Sequence, residues 1–145
     1  MKLTLLGTGC PSIDYKRCGS ANLICSKKTK ILIDCGSGVT QRLNQSGHSS
    51  AEIDALLLTH LHTDHVIDLY QLIISSWHSD RDAIWKIYGP KGTKKFVDQI
   101  FLAWKNERKL RISYEKRKSI KALKYKVYEF DKKGSISIND IKIKY

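Results

Sequence analysis

No apolar run in the sequence approaches the roughly 20 residues that a membrane-spanning helix needs, so no membrane partner is expected. The opening MKLTLLGTGC carries one lysine and an apolar stretch too short for the core of a secretory signal, which points to a cytoplasmic protein. There is no CxxC pair. Cys10, Cys18, Cys25 and Cys35 are widely spaced, which excludes zinc-ribbon and thioredoxin motifs and leaves reduced, partly buried thiols as the expectation. Repeats, low-complexity tracts and long linkers are absent as well, and 145 residues suit one domain with one core. Acid is scarce in the second half: residues 1–75 carry seven Lys and Arg against six acids, whereas residues 76–145 carry nineteen against eight. A basic field so placed attracts polyanions, RNA included, although an AT-biased genome would also enrich lysine.

What is present reads as strands alternating with helices. Leu3–Leu6 is a short apolar strand that runs into the turn residues Gly7, Thr8 and Gly9. Ala21–Cys25 and Lys30–Ile33 form a hairpin, Val39–Gln45 a helix stopped at Gly47, and Ala55–Leu58 a strand buried on both faces. Apolar residues from Val66 to Trp77 repeat at helical spacing. Trp85–Tyr88 predicts another strand, and Thr93 caps a helix that runs to about Asn106. Residues 111–145 predict antiparallel sheet, with strands around Tyr125–Glu129 and on both sides of an Asn139–Asp140 turn, and with Lys116–Lys121 in a surface loop. This order argues for α/β or α+β layers with helices on a sheet.

Between the buried strand and the helix lies THLHTDH, residues 59–65, where three of the five histidines and a carboxylate fall within six residues. Imidazole nitrogen and carboxylate oxygen together suit zinc, iron or manganese. Residues two apart do not share a helical face, so His60 and His62 reach one ion only from extended backbone. Asp64 and His65 sit at the start of the helix, where they can turn toward a second ion. A helix-capping Asp64 beside idle histidines is the plainer alternative. His48 and His78 stand alone and are expected to be surface residues.

THLHTDH, preceded by ALLL and by the upstream ILIDCGSG, resembles the HxHxDH motif of the metallo-β-lactamase superfamily. The GTG turn, IDCGSG, the histidine loop and IYGPKGT follow in the order of its ribonuclease Z and arylsulfatase-like branch. That resemblance implies an α/β fold, an αββα sandwich of which this chain is the N-terminal half, with a mixed sheet and flanking helices. It implies two zinc ions in a complete domain, with manganese or iron as substitutes. His60 and His62 would bind the first ion and Asp64 and His65 the second. Asp64 would also carry a proton for the bridging water, and Asp34 would orient the ligand loop through hydrogen bonds.

The implied activity is hydrolysis of phosphodiester or related ester bonds, sulfate esters included, with metal-bound hydroxide as nucleophile, by an enzyme that is a homo-oligomer when complete. The family completes its metal site with a histidine, a bridging aspartate and a final histidine from a second half, and none of them is in this sequence. Residues 1–145 are therefore expected to be a single, C-terminally incomplete domain that is inactive in isolation. A catalytically silent basic module that contacts RNA or a protein is the competing expectation.

Overall fold

The computed structural model describes all 145 residues. Strands β1 (Lys2–Gly7), β2 (Ala21–Cys25), β3 (Lys30–Ile33), β4 (Ala55–Leu57), β5 (Trp85–Pro90) and β6 (Tyr125–Phe130) form one mixed sheet in sequence order. The first three pair antiparallel and the last three follow β3 in parallel. Each parallel step needs a crossover. Helix α1 (Val39–Gln45), the pair α2 (Thr63–Val66) and α3 (Leu69–His78), and the pair α4 (Thr93–Ala103) and α5 (Lys105–Glu115) supply them.

Alternation along the strands divides the side chains between two faces. Leu6, Leu23, Leu32, Leu56, Trp85 and Ile87 meet the helices, packing with Leu43, Leu69, Leu72, Ile73, Trp77 and Val97. Ile31, Ala55 and Leu57 point the other way. Strands β7 (Ser135–Ile138) and β8 (Ile141–Lys144) form an antiparallel hairpin whose Ile138 and Ile141 cover that second face. The result is helices, sheet and hairpin in layers, the mixed α/β arrangement that the motif order implies.

Several local expectations are corrected. Residues 111–115 belong to helix α5, and β6 is parallel to β5, so only the Ser135–Lys144 hairpin is the antiparallel sheet expected for residues 111–145. The reason is the crossover: α5 carries the chain back to the start of the sheet, so β6 must run the same way as β5. The helix expected from Val66 is split, because Asp68 interrupts it and sends its carboxylate to the Thr40 amide at 2.7 Å, capping α1 instead. Gly92, at φ 100°, takes the cap of α4 in place of Thr93, whose hydroxyl donates to the Pro90 carbonyl at 2.7 Å; the helix ends at Ala103 rather than Asn106. Arg117, in the expected surface loop, lies over the Trp77 ring and donates to the His78 carbonyl.

Charge links α3 to α5. His78 Nε2 stands 3.0 Å from Glu115 Oε1, and Arg117 Nε donates to Glu115 Oε2 at 2.9 Å. His78 first and Arg117 next hold the Glu115 carboxyl down to about 2, against an ordinary 4.5. A carboxyl depressed in the folded state stabilises it above the unfolded value and stops doing so as pH falls through the folded one. The Glu115 contribution is therefore expected to fade between pH 4.5 and about 2. Acid unfolding followed by tryptophan fluorescence should show Glu115→Gln without that part of the pH dependence.

Candidate metal centre

The site grows from the adjacent ends of β3 and β4. Asp34, immediately after β3, takes a left-handed backbone at φ 62° and is buried. Aspartate is among the few residues that tolerate this conformation. Its amide donates to the Leu57 carbonyl at 2.8 Å, so the main chain stays tied to β4 while the carboxylate turns toward the histidine loop. There Oδ1 accepts from the Thr59 amide at 2.8 Å, and the Thr59 hydroxyl lies 2.9 Å from both carboxylate oxygens. Oδ2 is 2.7 Å from His65 Nδ1.

These contacts settle two tautomers. An ionised carboxylate only accepts, so His65 Nδ1 carries the proton and donates to Asp34. The Thr59 hydroxyl has one proton, which goes to Asp34. His60 Nδ1, 3.0 Å from that hydroxyl oxygen, must therefore be the donor to it. When neutral, both rings so held carry a free lone pair on Nε2, the form in which a histidine ligates a metal, and one carboxylate sets both.

His62 stands at the N-cap of α2 in extended backbone, φ −69° and ψ 148°. Its ring centroid is 4.6 Å from that of His60, which is 4.0 Å from that of His65. Asp64 lies in the first turn of α2, with Oδ2 3.5 Å from His65 Nε2. Its Oδ1 is buried and has no hydrogen-bond partner. Such an oxygen is costly unless something positive reaches it.

No three His, Cys, Asp or Glu side chains are gathered here into a cation cage. The donor types, the free Nε2 positions and the orphaned Asp64 oxygen nonetheless fit a divalent cation held in part by this loop. His48 and His78 are elsewhere, beside Glu52 and Glu115.

Backbone contacts hold the loop in place. The Cys35 amide donates to the His65 carbonyl at 2.6 Å, and the Ser20 amide to the Asp64 carbonyl at 3.2 Å. A Cβ on Gly36 would drive into that Asp64 carbonyl oxygen. Gly36→Ala is therefore expected to push the ligand loop away and cost about 1–3 kcal/mol, as overpacking does, measurable as a lower urea midpoint.

Sequence reasoning missed Thr59, which bridges Asp34 and His60, although its place inside THLHTDH was a signal. It also missed a cleft of about 440 Å³ that reaches Asp64, lined by Cys10, Arg17, Cys18, Ser37, Thr63 and Ile67 among others. The GTG turn placed nearby was the one hint of it.

Comparison with known proteins agrees with this fold. The family model for anti-Pycsar protein Apyc1 matches residues 1–145. Ribonuclease Z of Mycobacterium marinum is 38% identical over 117 residues, which is 79% of this chain and 42% of the relative. That of Mycolicibacterium gilvum is 39% identical over 118 residues, 79% of this chain and 41% of the relative. The chain thus spans about two-fifths of the length of these curated relatives.

Among solved structures, the metallo-β-lactamase fold protein YhfI from Bacillus subtilis superposes with a TM-score of 0.69 at 19% identity, over 97% of this chain and 49% of that one. Human tRNase Z, short form, gives 0.66 at 28% identity, over 89% of this chain and 44% of its own. The match of the family model over residues 1–145 places the chain in the Apyc1 family of anti-Pycsar proteins, and its likeness to YhfI shows the metallo-β-lactamase fold.

Proposed function

We propose that this chain carries the ligand loop of a divalent-metal hydrolase that cleaves phosphodiester bonds, those of RNA among them. His60, His62, Asp64 and His65 hold the cation, and Asp34 positions two of the rings. The observation that supports this most is the shared carboxylate: Asp34 leaves Nε2 of both His60 and His65 free to ligate, directly at His65 and through Thr59 at His60. Surface histidines with no task do not need two tautomers set by one buried acid.

Zinc suits these donors, and manganese or iron would accept the same set. Such a cation, when bound, supplies Lewis acidity and makes water a usable nucleophile near neutral pH. The chain's own residues do the rest of the work at this end. Asp64, whose Oδ1 has no hydrogen-bond partner, would accept a proton, and the ester would enter by the cleft that Asp64 helps to line. Four donors from one loop fall short of two closed coordination shells, so the reading includes further ligands from residues outside these 145. The basic second half favours a phosphate-rich substrate over a lone sulfate ester.

The test is hydrolysis of bis(p-nitrophenyl) phosphate by a protein that extends over the length of the relatives. Residues outside the coordination shell are themselves worth 10–100-fold, so His62→Ala is expected to lower the rate by more than about 100-fold. Undiminished turnover by His62→Ala would end this reading.

A further inference from the structure

The cleft of about 440 Å³ that reaches Asp64 is walled on one side by the loop from Cys10 to Cys18. Main-chain bonds close this loop and tie its base to the metal centre. The Gly9 amide donates to the Cys18 carbonyl at 2.8 Å, the Gly19 amide to the Ser37 carbonyl at 2.9 Å, and the Ser20 amide to the Asp64 carbonyl at 3.2 Å. Arg17 stands only three residues before Ser20, a span of at most about 11 Å.

Within the loop, Asp14 holds Arg17. Its Oδ2 accepts from Arg17 Nε at 3.0 Å, its Oδ1 from the Lys16 amide at 2.8 Å, and its carbonyl from the Arg17 amide at 3.2 Å. Both carboxylate oxygens are thus spent on the loop itself, while the two terminal amino groups of Arg17 have no partner. That sets Arg17 apart. Each of the other five arginines, Arg42, Arg81, Arg108, Arg111 and Arg117, donates from a terminal amino group to Gln45, to a main-chain carbonyl or to Glu115. Arg17 is also the one cation lining the cleft.

We infer that Arg17 is the residue by which this cleft selects a phosphodiester: its two free amino groups take the non-bridging oxygens of the anion, beside an apolar wall of Pro11, Ile13 and Ile67. A planar guanidinium gripped at Nε presents its remaining nitrogens in a set plane, the geometry that matches two phosphate oxygens. A neutral ester gives such a fork no charge to bind. The choice of a diester rests on the hydrolase reading above; the fork itself needs no metal.

The experiment titrates the isotope-labelled 145-residue chain with diphenyl phosphate, an anionic diester, and follows the amide signals of Ser37 and Thr63, which line the same cleft. Saturable shifts are expected for the parent chain. Hydrogen bonds to a charged group are worth about 10–100-fold in affinity, so Arg17→Met should weaken binding by that factor. Arg17→Lys keeps the charge without the fork and should fall with it. Lys16→Met is the charge-matched control: the Lys16 ammonium rests 5.2 Å from the centroid of the Tyr15 ring, outside the cleft, so this variant should bind like the parent.

No saturable shift in the parent, an equal loss in Lys16→Met, or binding by Arg17→Lys as tight as the parent's would each overturn the inference. Hydrolysis is read separately, on a protein that extends over the length of the relatives. There Arg17→Met should lower kcat/KM for bis(p-nitrophenyl) phosphate far more than for the neutral p-nitrophenyl acetate, and an equal effect on both would also overturn it. A longer protein that hydrolyses neither ester, while diphenyl phosphate still binds through Arg17, would remove the proposed activity and leave the anion site standing.

Discussion

Asparagine in place of Asp34 is expected to move the proton on His65 from Nδ1 to Nε2. In the native chain Asp34 Oδ2 accepts from His65 Nδ1, while Oδ1 accepts from the Thr59 amide. Asparagine keeps one carbonyl oxygen, which the Thr59 amide claims, and presents an NH2 where Oδ2 had been. A donor now faces Nδ1, so the ring must accept there and carry its proton on Nε2. That nitrogen then cannot ligate. Residues that set a ligand in this way are worth 10–100-fold in metal affinity, so a loss in this range is expected for zinc.

Two-dimensional 1H–15N spectra that correlate ring nitrogens with ring protons read the tautomer directly, without metal or turnover. A His65 still protonated at Nδ1 in Asp34→Asn would refute the assignment. Asn, like Asp, tolerates left-handed backbone, so the fold should persist. Asp34→Ala should instead cost several kcal/mol, because it strands the buried donors and adds about 1–2 kcal/mol of backbone strain.

Arg81→Met is expected to destabilise the chain by several kcal/mol, since each carbonyl left buried without a donor costs about 1–3 kcal/mol. The Arg81 guanidinium is buried and donates to four carbonyls: Ala83 at 3.0 Å, Ala51 at 3.1 Å, Ile53 at 2.5 Å and Ile84 at 3.2 Å. It also lies 4.3 Å from the Trp85 ring centroid. Burial lowers its pKa to about 10, which still leaves it charged at neutral pH. The carbonyls belong to the segments that enter β4 and β5, so this one side chain clamps the far ends of the strand that delivers the ligand loop and of its neighbour.

Methionine keeps the length and volume but leaves those oxygens without a donor. A fall in melting temperature of about 10 °C is expected for a chain of this size. A shift within a degree or two would mean that the loops relax and water satisfies the carbonyls.

The loop that carries the histidines was legible in the sequence because its signals are local. A strand buried on both faces reads as the continuous run Ala55–Leu58, and His62 has the extended backbone that an HxH pair needs to face one ion. Helix α5 was not legible. Lys105–Glu115 buries no side chain and has no apolar stripe to detect; its visible support is the Glu107, Arg111 and Glu115 ladder at spacing four. The direction of β6 was hidden for a related reason. Alternation assigns faces to Tyr125–Phe130 but carries no direction, which is set by the crossover that α5 completes. The tautomer lock was out of reach too, since it depends on Asp34 adopting φ 62° beside a threonine 25 positions away.

A helix with no buried side chain is also a seam. Amide protons of Lys105–Glu115 should exchange with deuterium well ahead of those in β3 and β4, and trypsin should find Lys109 and Arg111 before any bond in the core. One cut there would leave two pieces still joined through the sheet, with the histidine loop untouched.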